Sequence, residues 1–472
     1  MLVVHYDGKT LKQFHDQIHS VKKRLSVIVT SPDLESDQVL AVPITPSNSG
    51  KNQKEVIMNT LNDWDLSSQV FGLGFDTTSD NTGKYNGSAV LIEKSLGEAV
   101  LWVACPHHFY ELHVKKAARM FYGETNSPEE NIYKTLKSSW NDIEIDYDDL
   151  DLFDWHKAEG TCIADQAKEV LVFYRSLLEN NTFPREDLKE LLSLVLVWLG
   201  EKVDGFKFQT PGALSHARFL MQAIYSMKIS LLSNQLDIYS QEDLAKVKSV
   251  AQFVGLYHAY WYFKSPVAVS APVLHLSTIS QMKKLEVILP DLAGVVLKSI
   301  FAHLWYLSPQ WVPLAIADES LPSDQRSNLA VTLSNIPRPE TFPLGKPSFP
   351  DLSEVSDNDW SSGRVPNLSS LLGPESWLIF DKLELTESDL KWLSEDPQTW
   401  DIFPGFVRFQ NFMKKLTIVN DPAERGVGLV KDFIATFQSE SLCQKNLLAV
   451  SGHRKIVKKN SKKSDLAKIG LH

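Results

Sequence analysis

The first 105 residues alternate short apolar runs with polar turns in an order that few folds accept. Runs at 2–6, 25–30 and 39–45 are β-branched or apolar, so three successive strands are predicted. The polar stretch Pro46-Ser47-Asn48-Ser49-Gly50 then opens a helix in which Val56, Ile57, Thr60, Leu61 and Trp64 recur at helical spacing. A fourth strand is predicted over 70–75, ending at Asp76, a second helix over 83–96 with Gly97 as its cap, and a fifth, buried strand over 100–105. The order is β-β-β-α-β-α-β, and two strands that feed crossover helices favour parallel pairing.

From about 109 to 410 the character is helical, with Leu, Ala and aromatics at three-and-four spacing over 164–178, 186–199, 213–232, 241–263 and 293–307. Residues 142–159 carry eight acids against one Lys, the mark of a solvated or loosely ordered face. Residues 336–374 hold seven prolines among many Ser and Asp and cannot be regular helix. A helix resumes over 422–437, with Pro422 suited to its first turn and Asp421 to its N-cap. The last 22 residues hold seven Lys and Arg and one Asp, a basic tail.

At 472 residues and 43% hydrophobic, the chain has ample material for a folded core. With 48 Lys and Arg against 58 Asp and Glu, the net charge of −10 confines any nucleic-acid contact to a local patch. Three cysteines, Cys105, Cys162 and Cys443, are too few and too scattered for a disulfide framework or an all-thiolate zinc site, which suits a reducing compartment. No signal-peptide pattern opens the sequence, and no apolar run nears the roughly 20 residues of a membrane span, so neither secretion nor membrane insertion is expected.

Asp7 ends the first predicted strand, before Gly8, and Asp76 ends the fourth, before small polar residues. Glu424 falls in the first turn of the 422–437 helix. Singly, each has an ordinary reading, a turn carboxylate or a dipole partner. Together, as three hard oxygen ligands, they suit Mg²⁺ or Mn²⁺. Cys105-Pro106-His107-His108 is a Cys-x-x-His sequence where the fifth strand passes into a helix. No second Cys/His pair stands at finger spacing, which favours a buried, hydrogen-bonded junction over zinc.

The ordered set Tyr6-Asp7-Gly8, Phe75-Asp76-Thr77-Thr78 with Asn81-Thr82-Gly83, Cys105-x-x-His108, a long helical stretch, and Asn420-Asp421-x-Ala423-Glu424-Arg425-Gly426 resembles the catalytic region of hAT-type DNA transposases. The likeness spans nearly the whole chain and is closest to divergent, domesticated or fragmentary members. It implies an α/β fold: a ribonuclease-H-like mixed sheet interrupted by a large α-helical insertion. Residues 1–108 then form the first part of that domain, 109–410 the insertion, 411–450 the returning helix and 451–472 the basic tail.

The resemblance further implies that Asp7, Asp76 and Glu424 are the catalytic, metal-binding DDE acids, and that Cys105 and His108 form the structural junction. An Arg-Trp pair that holds distorted DNA in the family has its counterpart at Arg218-Phe219, with Trp140 a rival aromatic. Lys115, Lys116, Arg119 and the basic tail are the candidates for the DNA backbone. The expected activity is metal-dependent DNA cleavage and strand transfer, with DNA and a second copy of the chain as partners and the nucleus, otherwise the cytoplasm, as location. Family members usually carry a zinc-binding DNA-recognition domain ahead of the first strand, and this sequence starts six residues before Asp7. An N-terminally truncated member, or a catalytically retired scaffold that binds DNA or protein, is the alternative expectation.

Overall fold

The computed structural model describes residues 1–15, 18–123, 131–180, 183, 185–212, 220–352 and 366–423; over 10–22 it describes the backbone alone. Strands β1 (Leu2–His15) and β2 (Ile18–Thr30) form a long antiparallel hairpin. The hairpin outruns the predicted strands because its outer half, from Lys9 to Arg24, is mostly polar and carries no apolar alternation to read. Strands β3 (Gln38–Ala41) and β4 (Ile44–Thr45) both pair with β2, replacing the single strand predicted at 39–45. Pro43 sits at the break, where it cannot donate to a ladder.

Helix α1 (Gly50–Trp64) leads to β5 (Val70–Phe75), which lies parallel to β1 on the side away from β2. Helices α2 (Ser79–Thr82) and α3 (Ser88–Leu96) return the chain to β6 (Leu101–Ala104), parallel to β5. The strand order is β3-β2-β1-β5-β6, so the protein is mixed α/β with a mixed parallel and antiparallel sheet. Every residue of β5 and β6 is buried, as expected of parallel strands covered on both faces.

Helix α4 (Pro106–Tyr122) leaves β6 with its proline in the first turn. It enters a helical block made of α5 (Asn131–Ser139), α6 (Trp155–Ala158), α7 (Cys162–Asn180), α8 (Glu186–Trp198), α9 (Met221–Leu231), α10 (Gln241–Phe253), α11 (Ala259–Lys264), α12 (Ala271–Glu286) and α13 (Pro290–Phe301). The helix predicted over 241–263 is interrupted by a π-helical turn, Val254–His258. Its displaced carbonyls are met by side chains: Tyr174 Oη donates to Gly255 O at 3.0 Å and Gln166 Nε2 to Leu256 O at 3.1 Å. The helix predicted to run to 307 stops at Phe301 because the following chain turns onto the sheet. There Tyr306 Oη donates to Ala104 O (2.8 Å) and Trp311 Nε1 to Trp102 O (3.1 Å), which covers the outer edge of β6.

The acidic run is largely exposed but pinned, with Asp151 held by Ser233 (2.9 Å) and Lys248 (2.8 Å). Within 336–374 the described residues form no α-helix, as predicted. Gly345 N donates to Glu93 Oε2 at 2.7 Å while Val100 N donates to Oε1 at 3.0 Å, so one buried carboxylate ties the Pro-rich stretch to the sheet. After the helix Pro404–Lys415 the chain comes back to the sheet, with Thr417 bridging Val267 on the way.

Candidate active site

The parallel register of β1 on β5 runs Val3↔Gly72, Val4↔Leu73 and His5↔Gly74. Beyond these pairs, Asp7 and Asp76 follow at the same offset, each two residues past the last pair. The rings of Tyr6 and Phe75, one residue earlier, are 5.9 Å apart between centroids, consistent with that register. Gly74 permits the close approach: a Cβ there would lie 2.4 Å from His5 Nδ1.

The Asp76 carboxylate is oriented by its own loop. Its Oδ1 accepts from Thr78 N (3.1 Å), Thr78 Oγ1 (2.6 Å) and Asn81 Nδ2 (2.7 Å). Three donors on one oxygen fix the group in one orientation. Asn81 is in turn held by Ser88 Oγ (3.0 Å), and Ser88 by Tyr6 Oη (2.7 Å). Burial pushes the Tyr6 phenol well above its ordinary pKa, so this relay stays neutral.

Cys105 and His108 form the expected junction. Thr77 N donates to His108 Nδ1 at 3.1 Å, with Thr77 Oγ1 2.7 Å from the same nitrogen, which ties the start of α4 to the residue after Asp76. Cys105 Sγ accepts from the backbone N of Asn420 at 3.2 Å.

Asn420 is where the chain's far end meets the sheet. Its Nδ2 donates to Tyr6 O (2.9 Å), and its Oδ1 lies 3.2 Å from His5 Nδ1, whose other nitrogen is 2.9 Å from Thr30 Oγ1. Residues 421–423 are helical, and Ala423 N donates to Asn420 O at 3.1 Å. Asp421 is therefore inside the helix rather than its predicted N-cap. Its carboxylate faces His107 Nδ1 (3.0 Å) and Arg185 Nη1 (3.4 Å), while Arg185 also donates through Nε to Asp187 (2.9 Å). His107 stacks on Tyr262 with centroids 3.8 Å apart.

Truncating Asn420 to Ala strips two buried contacts and leaves Tyr6 O and His5 Nδ1 without them. At about 1–3 kcal/mol for each stranded polar group, the expected loss is about 2–6 kcal/mol, read by urea denaturation.

The structure thus brings Asp76, Cys105 and His108 together where β5 and β6 end, whereas Asp7, expected to end its strand, lies inside β1, which runs on to His15 through its pairing with β2. Glu424 lies outside the described residues, as do Arg218, Phe219 and the basic tail. Lys115, Lys116 and Arg119 are on α4, the first of them about 14 Å along the axis from Pro106, so they belong to a different part of the surface. Trp140 is 9% exposed, packed against Phe208 and under the Lys228 ammonium, and is a core residue rather than a ring for DNA.

Sequence reasoning did not assign Asn81, Asn420, Arg185 or His107. The signal for the two asparagines and His107 was their place inside the quoted motifs; Arg185 offered none. Beside the Asp421 network opens a cavity of about 620 Å³ walled by Glu35, Asp37, Tyr262, Phe263 and Lys415, which no motif marked.

Asp7 and Asp76 are both half-buried, and the Asp76 carboxylate is fixed by three donors from its own loop. Among the described residues no group of three His, Cys, Asp or Glu side chains is set to hold a metal ion. None of their helices is long and apolar enough to cross a membrane. No family model matches the chain, and no curated protein matches it.

Proposed function

We propose that the protein is a DNA-transposase-like protein of the hAT type, built on a ribonuclease-H-like sheet. In this reading Asp7, Asp76 and Glu424 are its acid set for metal-dependent phosphodiester cleavage and strand transfer. The observation that carries the reading is the parallel pairing of β1 with β5, with Asp7 and Asp76 each two residues past its last pair, beside the docking point of the segment that leads to Glu424. The strand order supports it, since a central first strand with an antiparallel hairpin on one side and two parallel strands on the other is the arrangement of ribonuclease-H-like sheets.

Mg²⁺ or Mn²⁺, when bound, supplies charge stabilisation for the attacking and leaving oxygens. The chain's own part is positional. Thr78 and Asn81 hold Asp76 in place, and His108 fixes the adjoining residue. Asn420 clamps the returning segment to β1, and Glu424 follows it by four residues in the sequence. DNA is the substrate in this reading. Arg218 and Phe219 in the helical insertion, Lys115, Lys116 and Arg119, and the tail contribute to its binding, with a nuclear location and assembly into a homo-oligomer.

The test is nicking of supercoiled DNA by the full chain. Mg²⁺-dependent nicking that is lost in Asp76→Ala and Asp76→Asn, with DNA binding retained, is the expected result. Equal binding without nicking in the unaltered protein overturns the enzyme reading in favour of a retired DNA-binding scaffold, and neither binding nor nicking overturns both.

A further inference from the structure

We propose that the loop over residues 83–87 is a base-stacking platform, in which Tyr85 takes the face of an unpaired nucleotide and Lys84 its phosphate. This deepens the function proposed above and rests on it.

Tyr85 is 69% exposed, more than any other aromatic side chain among the described residues. Burial is the ordinary fate of a ring this size, so its presentation needs a cause. The cause is the loop's construction. Gly83 N donates to Ser79 O (2.9 Å) and Gly87 N to Gly83 O (3.0 Å), closing the loop on itself. A Cβ on Gly87 would lie 2.5 Å from Gly83 N, and one on Gly50, the first residue of α1, would lie 2.1 Å from Asn86 O. Glycine at both places lets α1 and the two ends of the loop close on one another without a gap. Ser88 and Asn81, on either flank, are the same residues that relay from Tyr6 to the Asp76 carboxylate. The loop is therefore a stiff extension of the carboxylate edge, and it holds Lys84, Tyr85 and Asn86 in solvent.

The chemistry of what it displays selects the ligand. Lys84 Nζ stands 5.5 Å from the Tyr85 ring centroid, so a cation and a π-face are offered side by side. The neighbouring side chains, Thr82 and Asn86, are polar, so the ring is not part of an apolar patch of the kind that docks a protein partner. A lone ring beside a single cation matches one base face and the adjoining phosphate, which is how unpaired nucleotides are held without sequence preference. In an intact duplex both faces of each internal base are already stacked, so the platform favours single-stranded or unstacked DNA.

The test measures binding of the full chain to a dye-labelled single strand and to a duplex by anisotropy, with Ca²⁺ replacing Mg²⁺. Tyr85→Ala is expected to weaken single-strand binding about 5- to 150-fold and leave duplex binding unchanged, while Tyr85→Phe binds like the unaltered protein. Lys84→Ala is expected to weaken both and flatten the salt dependence. Unchanged single-strand affinity in Tyr85→Ala, or a loss in Tyr85→Phe as large as in the alanine variant, overturns the platform. If nicking that depends on Asp76 persists alongside either result, only the platform falls. Absence of any DNA binding by the unaltered protein removes the function and the platform together.

Discussion

Lowering the pH from 6.5 towards 4 is expected to unfold the protein. Burial pulls His258 and His275 down to about 3, and His5 and His303 down to about 4, from an ordinary value of 6.5. The unfolded chain takes up these protons near pH 6.5, and the folded protein does not until far lower. Their stabilising contribution is therefore complete above pH 6.5 and drains away as the pH falls towards the folded values. At pH 4 each of the four costs about 3 kcal/mol, and together they match the 5–15 kcal/mol by which domains are usually stable.

Partners do not rescue them. Glu111 Oε1 is 3.8 Å from His258 Nε2, beyond a hydrogen bond, and the His275 ring stacks on Phe109 with neither nitrogen bonded among the described residues. Glu93 works in the other direction: burial raises its carboxyl to about 7, so its contribution grows as the pH falls from 7 towards the ordinary value of 4.5. One acid returns about 3 kcal/mol, too little to offset four imidazoles. Tryptophan fluorescence against pH should show one cooperative loss of structure below pH 6. His275→Leu, which removes one titrating ring, should move that midpoint lower; a midpoint that does not move counts against the imidazoles as the cause.

The second large effect is expected from Arg185→Met. Arg185 is the cation shared by Asp187 and Asp421, whose side chains are 3% and 12% exposed. Removing it strands the buried Asp187 carboxylate and takes the cation from Asp421, which keeps His107, and breaking a buried pair by deleting one partner costs about 3–5 kcal/mol. Replacing both Arg185 and Asp187 by apolar residues of similar size should recover much of that loss, since the penalty comes from the orphaned charge. Urea midpoints of the single and double variants measure both. In the nicking assay Arg185→Met should also lose activity at temperatures where it remains folded, because Asp421 then no longer fastens the returning segment to α8. Full activity in a folded Arg185→Met protein would show that this fastening does not matter to the site.

The parts legible in the sequence are those encoded locally. Every residue from Val70 to Phe75 is apolar or Gly, and the strand ends where Asp76 begins the polar stretch, so β5 and its carboxylate could be read off directly. Helix α8 was equally plain because its first turn is acidic and its body is Leu and Val. Helix α12 escaped because it is buried around much of its circumference and carries Pro272 in its first turn, leaving no amphipathic stripe to read. That the first strand lies beside the strand leading to Asp76 was expected in advance from reading the sheet as ribonuclease-H-like. The contacts of Arg185 with Asp421 and of His113 with Ser299 span 236 and 186 residues, and no spacing in a sequence encodes separations of that length.

The clamp between His5 and Asn420 joins groups 415 positions apart. On the ribosome, at about 5–20 residues per second, β1 emerges roughly 20–80 s before the asparagine that completes its edge. For most of that interval, once β5 has followed, β1 and β5 can pair while the last strut is still unmade. An arrangement of this kind delays its own assembly until nearly nine-tenths of the polypeptide has been translated.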